Sequence, residues 1–116
     1  MKYLILGFAL LLAGCKEPSI EHGLKALVGG SLEIVPGATP IEYSVIVIAE
    51  GKIQMLGPQA MVPVPKGAET ISAKGQRILP SPADAKLLPG EPANLMLVDA
   101  ATGKTTQVMK NGEWVR

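Results

Sequence analysis

The chain has 116 residues, with 11 Lys or Arg against 10 Asp or Glu, one Cys and one His. A near-neutral balance removes the electrostatic case for nucleic acid or an anionic membrane surface as a partner. One thiol and one imidazole are too few for a zinc finger or an all-protein catalytic metal site, so composition implies neither metal nor cofactor.

Lys2 precedes an apolar stretch, residues 3–13, interrupted only by Gly7. Its length suits the core of a signal peptide and falls well short of the roughly 18 apolar residues that cross a bilayer, so residues 1–14 read as a helical secretion signal. The stretch ends in Leu12-Ala13-Gly14-Cys15, which resembles the lipobox of bacterial lipoproteins. That resemblance implies cleavage between Gly14 and Cys15 and a diacylglycerol on the Cys15 sulfur, with Cys15 the first residue of the mature protein. Cys15 is then unavailable as a nucleophile, metal ligand or disulfide partner. Acyl burial contributes roughly 0.8 kcal/mol per CH₂, and two or three chains make the membrane a stable partner. Lys16 stands where an Asp would imply retention in the inner membrane. The expected location is the bacterial cell envelope, at the outer membrane facing the periplasm in a host with two membranes. The plainer alternative is an ordinary secretory signal that leaves Cys15 a free thiol; a sole Cys directly behind the apolar stretch favours the lipobox.

Without residues 1–14 the chain has 102 residues, enough for one small domain with one core. Residues 15–23 are polar, contain Pro18 and Gly23, and read as a tether. His22 lies in this tether without a second His or an acidic cluster nearby, and reads as a solvated residue.

From residue 24 onward Gly and Pro recur every few residues between apolar segments of four to seven, which suits short strands and leaves no window for a long amphipathic helix. Residues 24–28 and 31–35 read as strands separated by Gly29-Gly30, a pair that permits a tight turn or a bulge. Residues 43–49 contain the run Val45-Ile46-Val47-Ile48, which predicts a strand covered on both faces at the centre of the core. Glu50-Gly51 reverses the chain into residues 52–56, and Gly57-Pro58 is expected to end that strand. One helical turn is expected at residues 59–62, before Pro63 and Pro65. Short strands follow at 69–72 and 77–79, joined through Lys74-Gly75. Residues 80–92, rich in Pro, read as an irregular connection. Residues 94–99 form another buried strand, and 105–110 and 113–115 are joined by Asn111-Gly112, the best type I′ turn signal in the chain. Eight or nine short strands bury their apolar faces as two packed sheets or a small barrel; a mainly β sandwich over residues 24–116 is favoured. Tyr43 and Trp114, the aromatics after the leader, are expected to pack on a sheet with their polar tips near solvent.

The order of these motifs resembles the composite β-sandwich domain of the amidohydrolase superfamily, in particular imidazolonepropionase-like enzymes. Leu27-Val28-Gly29-Gly30-Ser31-Leu32, then Val45 through Ile53, Leu56-Gly57-Pro58, Val64 through Ala68, Ile71 through Gly75 and Ile78-Leu79-Pro80 look like the N-terminal part of that domain. Leu88-Pro89-Gly90-Glu91-Pro92-Ala93-Asn94-Leu95 and the segment from Val108 to Val115 look like its C-terminal part, with Asn94 where Asp is usual. In the family the N-terminal part leads into Pro-Gly-Leu-Ile-Asp-x-His-x-His, whose histidines hold metal. Here the chain reads Pro80-Ser81-Pro82-Ala83-Asp84-Ala85-Lys86. Asp84 falls on the family's Asp, Lys86 takes the place of the first His, and the roughly 250 residues of a barrel are missing between them. A protonated Lys has no lone pair to give a metal.

The resemblance thus implies a hydrolase domain without its catalytic residues. Asp84 reads as a loop carboxylate, Asp99 as a turn former at a strand end and Lys86 as a solvated cation. Three functions stay open. The chain is a non-catalytic envelope lipoprotein with an interaction or structural module. Alternatively it is one subunit of a split hydrolase acting on carbon–nitrogen bonds, its barrel carried by a partner protein that an exposed apolar patch would favour. The third is a remnant of a shortened hydrolase.

Overall fold

The computed structural model describes residues 23–115, and the expectations for Gly14, Cys15 and His22 lie outside them. Nine strands occur among the described residues: β1 (Leu24–Val28), β2 (Ser31–Leu32), β3 (Ser44–Ala49), β4 (Lys52–Pro58), β5 (Glu69–Ser72), β6 (Gln76–Pro80), β7 (Leu95–Asp99), β8 (Thr105–Lys110) and β9 (Glu113–Trp114). They form two sheets, in the orders β4-β3-β1-β5 and β2-β6-β7-β8-β9. The expected small β-sandwich is the fold.

β3 shows why its sequence is apolar without alternation. Ile46 and Ile48 face the second sheet and join Leu27, Leu32, Ile53, Ile78, Leu95, Leu97 and Met109 in the main core. Val45 and Val47 point to the opposite face, where Val62 covers them. The segment after β4 therefore acts as a lid on the outer face. Its turn is the expected one, with the Met61 and Val62 N–H groups both donating to the Pro58 carbonyl.

Ile53 reaches the inner face through a bulge. Val47 pairs with Met55 but Ile48 pairs with Ile53, so Gln54 is an extra residue in β4. The bulge shifts the alternation by one and turns both Leu56 and Ile53 inward while Met55 points out. β4 also runs on through Gly57 to Pro58 rather than stopping before them, because an edge strand tolerates a residue without an N–H.

Gly29-Gly30 makes no hairpin. β1 and β5 run parallel in one sheet, β2 and β6 run parallel in the other, and the chain steps from the first sheet to the second twice, side by side, at Gly29-Gly30 and at Ala73-Lys74-Gly75. The step is tight: a Cβ on Gly30 would lie 2.7 Å from Ile78 Cδ1 and 3.0 Å from Ala73 Cβ. β2 stops at Leu32, short of the expected Val35, because Glu33 turns to Arg77 and the chain folds back through a turn in which the Ala38 N–H donates to the Val35 carbonyl.

At the other end of the sandwich two hairpin turns lie against each other. Asn111 and Gly112 have φ of 52° and 80°, as a type I′ turn requires. They meet Glu50 and Gly51, at 53° and 81°. A Cβ on Gly112 would lie 2.5 Å from Gly51 Cα, and one on Gly51 2.7 Å from the Asn111 carbonyl oxygen. The Gly112 N–H donates to the Ala93 carbonyl and the Ala93 N–H to the Gly51 carbonyl, so residue 93 ties the two turns together. Gly23 joins the same end, its carbonyl accepting the Glu50 N–H.

Candidate functional site

Residues 81–92 form the irregular connection expected from their prolines. The connection leaves β6 at Pro80, drives Leu87 into the main core, and then reaches the edge of β4, where Gly90 and Glu91 exchange backbone hydrogen bonds with Ile53. Leu87 is fully buried, so the loop belongs to the fold and is pinned at its middle and its end.

Asp84 and Lys86 lie on this loop at the rim of a groove of about 480 Å³, whose walls are Ile34, Val35, Leu87 and Leu88. Val35 is 61% exposed and Leu88 46%. The position where the resemblance puts a barrel is therefore a continuous loop beside an apolar groove.

Asp99 lies elsewhere. It pairs with Gln76 at one end of the β6–β7 ladder, whereas Asp84 follows the other end, where Pro80 pairs with Leu95. Five residues of strand, roughly 13 Å at 3.3 Å per step, separate the two ends. Asp99 Oδ1 accepts the N–H groups of Ala101 and Thr102 at 2.8 and 3.1 Å, which is the turn-forming role expected of it. Among the described residues no three His, Cys, Asp or Glu side chains gather closely enough to hold a metal ion. The metal that the resemblance implies does not fit the residues present: among the described residues Asp84 has no partner ligand, and Lys86 beside it offers N–H donors rather than a lone pair.

Three polar features were not legible from residue patterns. Arg77 Nε donates to Glu33 Oε2 at 2.7 Å, and the Gly37 N–H donates to Glu33 Oε1 at 3.1 Å. The Arg77 hydrogen bond holds the Glu33 carboxyl below its usual range; burial opposes this, and the Gly37 N–H and the Arg77 charge assist it. Lys25, on the inner face of β1, is only 8% exposed and runs its stem along the core toward Glu113, 4.0 Å away. Thr106 is the extra residue of a second bulge, between the pairs Leu97–Gln107 and Val98–Thr105, and its hydroxyl bonds both Gln76 Oε1 and the Leu97 carbonyl.

The two aromatics differ. Trp114 packs against the main core as expected. Tyr43 does not lie on a sheet: it is 73% exposed, with φ of 49°. It borders an open cleft of about 330 Å³ at the end where the chain steps between sheets, floored by Gly29 and Gly75.

A two-sheet β-sandwich is the class that the fold defines. No model of a known protein family matches the chain, and no curated protein does. Among solved structures it is similar to molinate hydrolase, at 31% identity and a TM-score of 0.45 over 50% of this chain and 12% of that one. An uncharacterized protein is similar at 23% identity and a TM-score of 0.42, over 49% of this chain and 14% of that one. The chain thus spans about one eighth of the length of the structures it matches.

Proposed function

We propose that the protein is an envelope lipoprotein, anchored through a diacylated Cys15, whose sandwich is a binding module that carries out no hydrolysis by itself. The observation that carries the second half is the loop from Asp84 to Lys86. It joins β6 to β7 of the same sheet and is pinned by Leu87, and Asp84 stands a strand's length from Asp99. A water-activating metal needs several neutral or anionic ligands converging within about 2 Å of one point, and neither Asp84 nor Asp99 has such company among the described residues. The first half rests on Leu12-Ala13-Gly14-Cys15.

The test is an intact mass of the protein extracted from bacterial membranes after expression with its own leader. The expected species begins at Cys15 and carries a diacylglycerol, and Cys15→Ala moves the protein out of the membrane fraction. A chain that keeps Met1, or a cleaved chain with a free thiol, overturns the anchor.

One observation favours a second reading. The groove walled by Val35 and Leu88 beside Asp84 offers exposed apolar surface to a partner chain bearing a hydrolase barrel. Affinity purification of the tagged, detergent-extracted protein separates the two: a stoichiometric barrel-bearing partner makes the chain half of a split hydrolase, and its absence leaves the self-standing module.

A further inference from the structure

Tyr43 sits where its own backbone preference is poorest. A bulky residue at positive φ is disfavoured, and it persists where the surroundings over-determine it. Here they do. The Ser44 N–H and hydroxyl both donate to the Gly30 carbonyl, at 3.0 and 2.8 Å. The Gly29 N–H donates to the Ser44 carbonyl, and the Gln59 N–H to that of Tyr43 itself, each at 2.8 Å. The backbone is therefore locked to the first step between sheets, while the ring stays in solvent and adds little to the core.

The ring borders the cleft of about 330 Å³, the lower end of the roughly 300–1,000 Å³ range of small-molecule sites. Its floor is bare backbone, because Gly29 and Gly75 supply no side chain and a Cβ on Gly75 would meet nothing within 4 Å. Its polar groups are mixed. Lys74 offers N–H donors and Glu42 an acceptor, and among the described residues neither enters an ion pair. Gln76 has its Oε1 held by the Thr106 hydroxyl, which leaves its amide N–H groups as donors.

Glu42 offsets Lys74, so the cleft carries no net charge to draw an anion, and an apolar ligand leaves these groups without partners. A sugar ring has the complementary form: a face of C–H groups for an aromatic platform, and a rim of hydroxyls that each donate and accept. We propose that this cleft binds a neutral saccharide of one or two rings, stacked on Tyr43 and held at its hydroxyls by Glu42, Lys74 and Gln76. The assignment names a ligand class for the binding module and rests on that reading.

The test uses the full-length lipidated chain in a detergent without a sugar headgroup, its intact mass taken first so that failure of the anchor and failure of the ligand are read separately. Maltose, cellobiose and N,N′-diacetylchitobiose are titrated into ¹⁵N-labelled protein. With at least one of them, saturable shifts are expected at Gly29, Tyr43, Lys74 and Gly75. Tyr43→Asn, which tolerates positive φ, is expected to weaken binding about three- to tenfold with an unchanged or higher melting temperature. Tyr43→Phe keeps the platform and is expected to stay within about twofold. No shift at about 10 mM of any of the three, well above the millimolar scale of weak specific sites, overturns the proposal. So do shifts confined to another surface, or a Tyr43→Asn protein that binds as tightly as the parent.

Discussion

The positive-φ glycines at the two ends of the sandwich serve different needs. At the end where Gly51 and Gly112 meet, no side chain fits: the space a Cβ would take is filled by backbone of the facing turn. Gly75, at the other end, has the same need for positive φ but open space around it, and the nearest atoms to a Cβ on Gly29 lie 3.8 Å away, in Lys74. One end is closed by turn-on-turn packing and tied to Gly23, the first described residue. The opposite end, β1's length away, is left open as a cleft. Glycine content alone does not distinguish a packing constraint from a conformational one; the neighbouring atoms do.

Substitutions at the two ends sharpen this contrast. Gly112→Ala adds a clash with Gly51 to the left-handed strain, and a loss of about 3 kcal/mol or more is expected in chemical denaturation. Leu87→Ala, which empties the point where the 81–92 loop enters the core, is expected to lose about 2–5 kcal/mol. Gly75→Ala meets no neighbour and is expected to lose only about 1 kcal/mol, the strain of positive φ. A Gly75→Ala loss equal to that of Gly112→Ala would dissolve the distinction between the ends.

The smallest expected effect is electrostatic. Glu33 is held below its usual pKa of 4.5 by Arg77, so its contribution is present above that value and is lost as pH falls through the depressed folded pKa. Arg77 is 42% exposed at its side chain, so solvent screens the pair and little stability rests on it. Thermal melts followed through the acid range are expected to show a shallower loss of stability for Glu33→Gln than for the parent chain.

Much of the fold was legible because local chemistry determines it. The Val45 to Ile48 run gave a doubly covered strand, Glu50-Gly51 and Asn111-Gly112 gave their hairpins, and β1, β5 and β8 have the bounds their patterns indicate. The step at Gly29-Gly30 was not legible, since a glycine pair permits a hairpin, a bulge or a passage between sheets, and only the parallel partners β5 and β6 select the last. The bulge at Gln54 depends on cross-strand register, which no single strand's sequence contains. For the site, the turn role of Asp99 could be read from its place at a strand end. Tyr43 could not, because its φ is imposed by hydrogen bonds to Gly30 and Gln59, distant in sequence.

The most direct test of a membrane-anchored module with its binding end turned away is a nanodisc measurement on the full-length protein, with a spin label on the lipid headgroups. The proposed tether, residues 15–23, spans at most about 32 Å, and its last residue, Gly23, joins the domain at the closed end. Stronger broadening is expected for the amides of Gly51 and Gly112 than for those of Gly29 and Gly75. Equal broadening at both ends, or stronger broadening at Gly29 and Gly75, would contradict a cleft that faces away from the membrane.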